Sequence, residues 1–124
     1  MKKKILIIDD DPALGLLIQS RLEAHGYDVS VASNGSEGIR KAVEVQPDLI
    51  LLDVRMPHMD GWTCFHEIRK SRSGKDVPIL MTTAQHKLQD MFEAEGVVGF
   101  VTKPYRAEDL IQTIEGVFSG EPQS

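Results

Sequence analysis

The chain has one cysteine, one tryptophan, few aromatic residues (6%) and no apolar stretch of membrane-spanning length in its 124 residues. A single cysteine, Cys64, rules out a disulfide framework within the chain and fits a reducing compartment. Without a run of about 20 apolar residues there is no transmembrane helix to expect. Basic residues are also in deficit, 14 Lys and Arg against 19 Asp and Glu. The formal net charge of -5 argues against direct binding to nucleic acid or to an anionic membrane, both of which reward a basic surface. Lys2, Lys3 and Lys4 resemble the start of a signal peptide, but the apolar run behind them stops after Ile8 at three aspartates, so the expected location is the cytoplasm.

What the chain does have is short apolar runs that end in acid. Asp48-Leu49-Ile50-Leu51-Leu52-Asp53 puts four apolar residues between two aspartates, as expected of a strand buried on both faces in a parallel sheet covered by helices. Asp53 then lies at the strand's C-terminal end, where open α/β sheets place their chemistry. Pro57 and Gly61 bracket a turn behind it. Ile5 to Ile8 is a second such run, ending in Asp9, Asp10 and Asp11. Asp11 before Pro12 reads as a helix N-cap with proline at the first helical position, a better account of it than metal ligation.

The remaining elements follow from periodicity. Leu14, Leu17, Ile18, Arg21, Leu22 and His25 fall at helical spacing before Gly26. Tyr27 to Ala32 reads as a strand, and Ile39, Ala42 and Val43 as the stripe of a second helix stopped by Pro47. Cys64, Phe65 and Ile68 mark a third helix, Pro78 to Thr82 a fourth strand, and Leu88, Met91, Phe92 and Glu95 a short fourth helix. Val97 to Val101 is a fifth strand, and Leu110, Ile111, Ile114, Val117 and Phe118 share a face of the last helix. Five strands alternating with five helices define a single doubly wound parallel α/β domain. The expected division is a domain over 1–119 and a flexible tail or truncated linker over 120–124. The histidines show no metal-ligand spacing and read as surface residues, and Met56, Met59, Met81 and Met91 read as packing.

Right-handed crossovers bring all strand C-termini to one edge. Asp9, Asp10, Asp53, Thr83 and Lys103 all follow strands and therefore meet there. Carboxylates about 4 Å apart repel by on the order of 4 kcal/mol per pair at an effective dielectric of about 20, so positive charge is expected among them. Lys103 supplies part; a hard divalent cation such as Mg²⁺, which prefers oxygen ligands, supplies the rest. Acids, a hydroxyl and an ammonium together suit phosphoryl chemistry, with a carboxylate as acceptor.

These residues resemble the receiver domains of two-component response regulators. The resemblance runs from Ile5 to Phe118 and rests on Asp9-Asp10, on Leu51 through Gly61, on Thr83-Ala84 and on Lys103-Pro104. It implies a flavodoxin-like receiver fold with strand order 2-1-3-4-5. It further implies that Asp53 is the phosphoacceptor and that Asp10, Asp9 (through water), Asp53 and the Arg55 backbone carbonyl hold Mg²⁺. Thr83 and Lys103 would hold the phosphoryl oxygens, and Thr83 and Phe100 would form the switch. Phe100 lacks the hydroxyl a tyrosine would bring. The run from Ala84 to Phe100 is shorter than is usual in the family. The implied role is a phosphoacceptor signalling domain, not an enzyme beyond self-phosphorylation and autodephosphorylation. Its implied partners are a sensor histidine kinase or phosphotransfer protein and an unknown downstream effector. The competing readings are a receiver-like scaffold without phosphorylation, and a phosphatase with an aspartate nucleophile. The first is disfavoured by the complete acid, threonine and lysine set, the second by adjacent acids where Asp-x-Asp would be expected.

Overall fold

The computed structural model describes residues 2–56, 58–84 and 96–120. In chain order the elements are β1 (Lys4–Ile8), α1 (Pro12–Ala24), β2 (Asp28–Ala32), α2 (Gly35–Val45), β3 (Leu49–Asp53), α3 (Gly61–Lys70), β4 (Ile79–Thr83), β5 (Gly99–Thr102) and α4 (Ala107–Ser119). The strands form one parallel sheet in the order β2-β1-β3-β4-β5. This is the expected doubly wound α/β architecture. The fourth helix expected around Leu88 to Glu95 lies outside the described residues, as do Pro57, Gln85, His86 and 121–124.

Strand pleating sends alternate residues of each apolar run to opposite faces. On one face Ile5, Ile7, Leu49, Leu51 and Leu80 pack with Ile18 and Leu22 of α1 and with Leu110, Ile111 and Ile114 of α4. On the other, Leu6, Ile8, Ile50, Leu52 and Met81 pack with Ala42 of α2 and with Cys64, Phe65 and Ile68 of α3. All five residues of β3 are buried, which explains why its sequence shows no polar alternation. Each fully buried aliphatic side chain there contributes roughly 1.5–3 kcal/mol.

Two helical stripes differ from expectation. Leu17 and Val43 are exposed, at 53% and 51%. The buried positions of α1 include Gly15, and those of α2 are Gly35, Gly38 and Ala42. Small residues let these helices lie close to the sheet, so the larger side chains beside them turn outward. A Cβ at Gly35 would meet Met59 Sδ at 2.7 Å, so the segment after β3 is seated directly on the start of α2. Gly61 is tighter still: its N–H donates to the Val54 carbonyl at 2.7 Å, and a Cβ there would collide with Asp53 and Val54 backbone.

Asp11 caps α1 as expected, its carboxylate accepting from the N–H groups of Ala13 and Leu14. Asp60 caps α3 through Thr63. Gly120, assigned to the tail from sequence, is the left-handed C-cap of α4, with φ of 78°. Among the methionines, Met56 and Met81 are buried and Met59 packs against the same core. His25 and His58 are exposed, whereas His66 is half-buried with its ring edge-on to Trp62 at 4.5 Å. The Cys64 thiol is buried, and burial pushes its pKa up to about 12, so it is inert. Among the described residues no helix is long and apolar enough to cross a membrane.

Candidate phosphoacceptor site

The C-terminal ends of β1, β3 and β5 bring three carboxylates and an ammonium together. Carboxylate oxygens of Asp9, Asp10 and Asp53 lie within 4.8 Å of one another. Asp9 and Asp53 are buried, each 4% exposed, while Asp10 is exposed. Lys103 Nζ donates to Asp9 Oδ2 at 3.0 Å and forms an ion pair with Asp53 Oδ2 at 3.3 Å. The other oxygens are held by backbone: Asp9 Oδ1 accepts the Asp11 N–H at 2.9 Å and Asp53 Oδ1 the Arg55 N–H at 3.2 Å.

One ammonium does not balance three acids. Burial pushes the Asp53 pKa up to about 6, and the Asp9 charge adds to this. Lys103 and the Arg55 N–H pull the other way without cancelling it. For Lys103, burial alone would lower the pKa; the hydrogen bond to Asp9 and the charges of Asp53 and Asp9 outweigh it, and the group is held above its ordinary range. The cluster therefore favours an added cation. Its donors are all oxygen, the chemistry that suits Mg²⁺, and one acid faces solvent where a hydrated ion can enter.

Thr83 is buried at the end of β4, and its carbonyl accepts the Lys103 N–H at 2.8 Å, tying the lysine to the neighbouring strand end. The Lys103–Pro104 peptide is cis. The Arg55 side chain is exposed, and its backbone N–H, a group with no signature in the sequence, donates to Asp53 Oδ1. Phe100 is half-buried on β5, in register with Met81 and packed against the core shared with α2 and α3.

Sequence reasoning passed over two neighbours. Tyr105 joins Asp11, Leu14, Ala84, Lys103 and Pro104 around a cleft of about 350 Å³ beside the ammonium. Its phenol pKa is raised, first by burial and then by the charges of Asp9, Asp53 and Asp11. The spacing of two residues from Lys103 was the available signal. Thr82, the register partner of Asp53, is the other.

Comparison with known proteins agrees with this geometry. The family model for the response regulator receiver domain matches residues 5–115. The DNA-binding dual master transcriptional regulator RpaA of Synechocystis is 40% identical over 116 residues, covering 92% of this chain and 48% of that protein. This chain thus spans about half of RpaA, and a quarter of the Escherichia coli regulator GlrR. Among solved structures, the Vibrio cholerae chemotaxis protein CheY4 superposes with a TM-score of 0.89 at 31% identity, covering 94% of this chain and 99% of that one. The receiver domain of the Pseudomonas aeruginosa sensor histidine kinase PA1611, solved with a magnesium ion coordinated in its active-site cleft, gives a TM-score of 0.82 at 31% identity. That match covers 98% of this chain and all of that one, 100%.

Proposed function

From the premise that the chain belongs to the response regulator receiver domains, signalling modules of two-component systems, we propose that Asp53 is its phosphoacceptor. The observation that carries this is the burial of Asp53 at the end of β3 with the Lys103 ammonium at 3.3 Å and two further acids within 4.8 Å. In the reaction, an Asp53 carboxylate oxygen attacks the phosphorus of a phosphohistidine on a kinase or phosphotransfer protein. A P–O bond forms, the P–N bond breaks, and its electron pair stays with the imidazole. The nucleophile is strong because burial keeps water from stabilising its charge, and Lys103 is placed to meet the incoming phosphoryl oxygens. Thr83 is the second group assigned to those oxygens.

Asp10, Asp9, Asp53 and the Arg55 carbonyl are the groups that would hold Mg²⁺, which when bound neutralises phosphoryl charge. Asp9 is already engaged by Lys103 and the Asp11 N–H, and Asp10 is exposed, which supports Asp10 as the more direct ligand and Asp9 as one acting through water. A phosphoryl group adds about -1.5 to -2 charge at this point. The proposed response is a shift of Thr83 and Phe100 that alters the surface offered to a downstream effector. The receiver unit is assigned to 1–119, with 120–124 as tail or linker, and cytoplasmic residence belongs to the same reading.

Incubation with Mg²⁺ and acetyl phosphate followed by intact mass tests the acceptor. The expected result is one added phosphoryl in the wild-type protein and none in Asp53→Asn. Addition that persists in Asp53→Asn refutes the assignment.

A further inference from the structure

Thr82 is 1% exposed, and its hydroxyl has no hydrogen-bond partner among the described residues. A buried hydroxyl left in that condition is destabilising, so its surroundings are informative. Parallel strands in register project partner residues to the same face, about 4.8 Å apart. Thr82 is in register with Asp53 on β3 and with Val101 on β5. Two residues further on, and on the same face by strand alternation, come Ala84 and Lys103. Two residues back is Leu80, buried against α1 and α4. The Thr82 side chain is therefore flanked by Asp53 on one side and Val101 on the other, with apolar Leu80 below and the Lys103 row above. The polar groups in that ring are the Asp53 carboxylate and the Lys103 ammonium. In the resting protein they satisfy each other, with Asp53 Oδ1 on the Arg55 N–H and Oδ2 on Lys103.

We infer that Thr82 is a positioning residue for the phosphorylated state: its hydroxyl donates to the Asp53 carboxyl oxygen that Lys103 leaves when it turns to the phosphoryl group. The inference rests on Asp53 being the phosphoacceptor. No covalent bond involves Thr82, and its hydroxyl keeps its proton. Once one Asp53 oxygen carries phosphorus, the other is a carbonyl oxygen in a buried site that Lys103 no longer occupies, and its two lone pairs let it accept the hydroxyl while also serving as a ligand where Mg²⁺ would be held. The hydroxyl that costs stability at rest then gains a partner, which biases the equilibrium towards the acyl phosphate. This role is separate from that of Thr83, which follows it on β4 and belongs by alternation to the face of Met81 and Phe100.

The test compares wild type, Thr82→Val, Thr82→Ala and Thr82→Ser in two measurements: the melting temperature of the unphosphorylated protein, and the ratio of phosphorylated to unphosphorylated protein at limiting acetyl phosphate with Mg²⁺, by intact mass. Thr82→Val, close in shape but without the hydroxyl, is expected to raise the melting temperature and to lower the ratio by about threefold to tenfold, the range for one hydrogen bond. Thr82→Ala is expected to show the same fall in ratio with a lower melting temperature, and Thr82→Ser to keep the wild-type ratio. A ratio unchanged in both hydroxyl-free variants overturns the inference, as does a ratio that falls equally in Thr82→Ser. A wild-type protein that takes up no phosphoryl group, or takes it elsewhere than Asp53, overturns the acceptor reading and this inference with it.

Discussion

β3 ends in a residue of the acid pocket, Asp53, and β5 leads directly into another, Lys103, yet the two strands are built differently. Every residue of β3 is buried, and β1 and β4 flank it on both sides. Every residue of β5 is half-exposed, and β5 lies at the sheet edge beside β4 alone. The proposed acceptor thus stands on a fully buried central strand, while Phe100 stands on a half-exposed edge strand. Precise placement of a nucleophile needs rigid support. A conformational readout needs an element of low local stability.

Truncation should separate the strands most strongly. Leu52→Ala on β3 is expected to cost about 2–5 kcal/mol, and Val101→Ala on β5 about 1 kcal/mol, measured by urea unfolding. Equal costs would break the contrast.

A smaller effect concerns charge on the rigid strand. The folded protein takes up a proton at Asp53 near pH 6, the unfolded chain near the ordinary 3.8. A carboxyl with a raised folded pKa weakens the fold where it is ionised, above about pH 6, and this penalty fades as pH falls towards 4. Asp53→Asn should therefore melt higher than wild type at pH 7.5 in a chelating buffer, with the difference shrinking through pH 6. A constant difference across that range would show that Asp53 is not the group titrating.

Metal affinity comes next. Asp10→Ala should weaken Mg²⁺ binding by on the order of tenfold, followed by Trp62 fluorescence, because the solvent-facing oxygen donor is lost. Unchanged affinity would place the ion elsewhere.

The smallest expected change is the most direct comparison of the two strands. Beryllofluoride, standing in for the aspartyl phosphate, should alter amide exchange at Gly99–Thr102 by less than about tenfold and leave Leu49–Leu52 unaltered, since phosphorylation shifts a population and does not remake the fold. A larger change in β3 than in β5 would reverse the assignment of roles.

Much of this was legible in the chain because burial on two faces leaves an unmistakable trace: Ile5 to Ile8 and Leu49 to Leu52 have no polar residue to place. Their shared direction then fixed where Asp9, Asp10, Asp53 and Lys103 would meet. Leu17 and Val43 fit the helical spacing of α1 and α2 yet face solvent, because periodicity counts large apolar residues and overlooks Gly15, Gly35 and Gly38, which make the close contacts. Backbone groups were also invisible, so the N–H donors of Asp11 and Arg55 had no signature. Thr82 escaped notice because only strand register, not the sequence, places it beside Asp53.

The seat of Met59 on Gly35 ties two positions 24 residues apart into one inherited unit. A natural variant with alanine at 35 would push Met59 outward and drag the segment following Asp53 with it, unless a smaller residue at 59 arrived with the change. Substitutions at the two positions should therefore appear together across descendants of this chain. In the laboratory, the Gly35→Ala, Met59→Ala double-mutant cycle should give a favourable coupling where each single change is damaging.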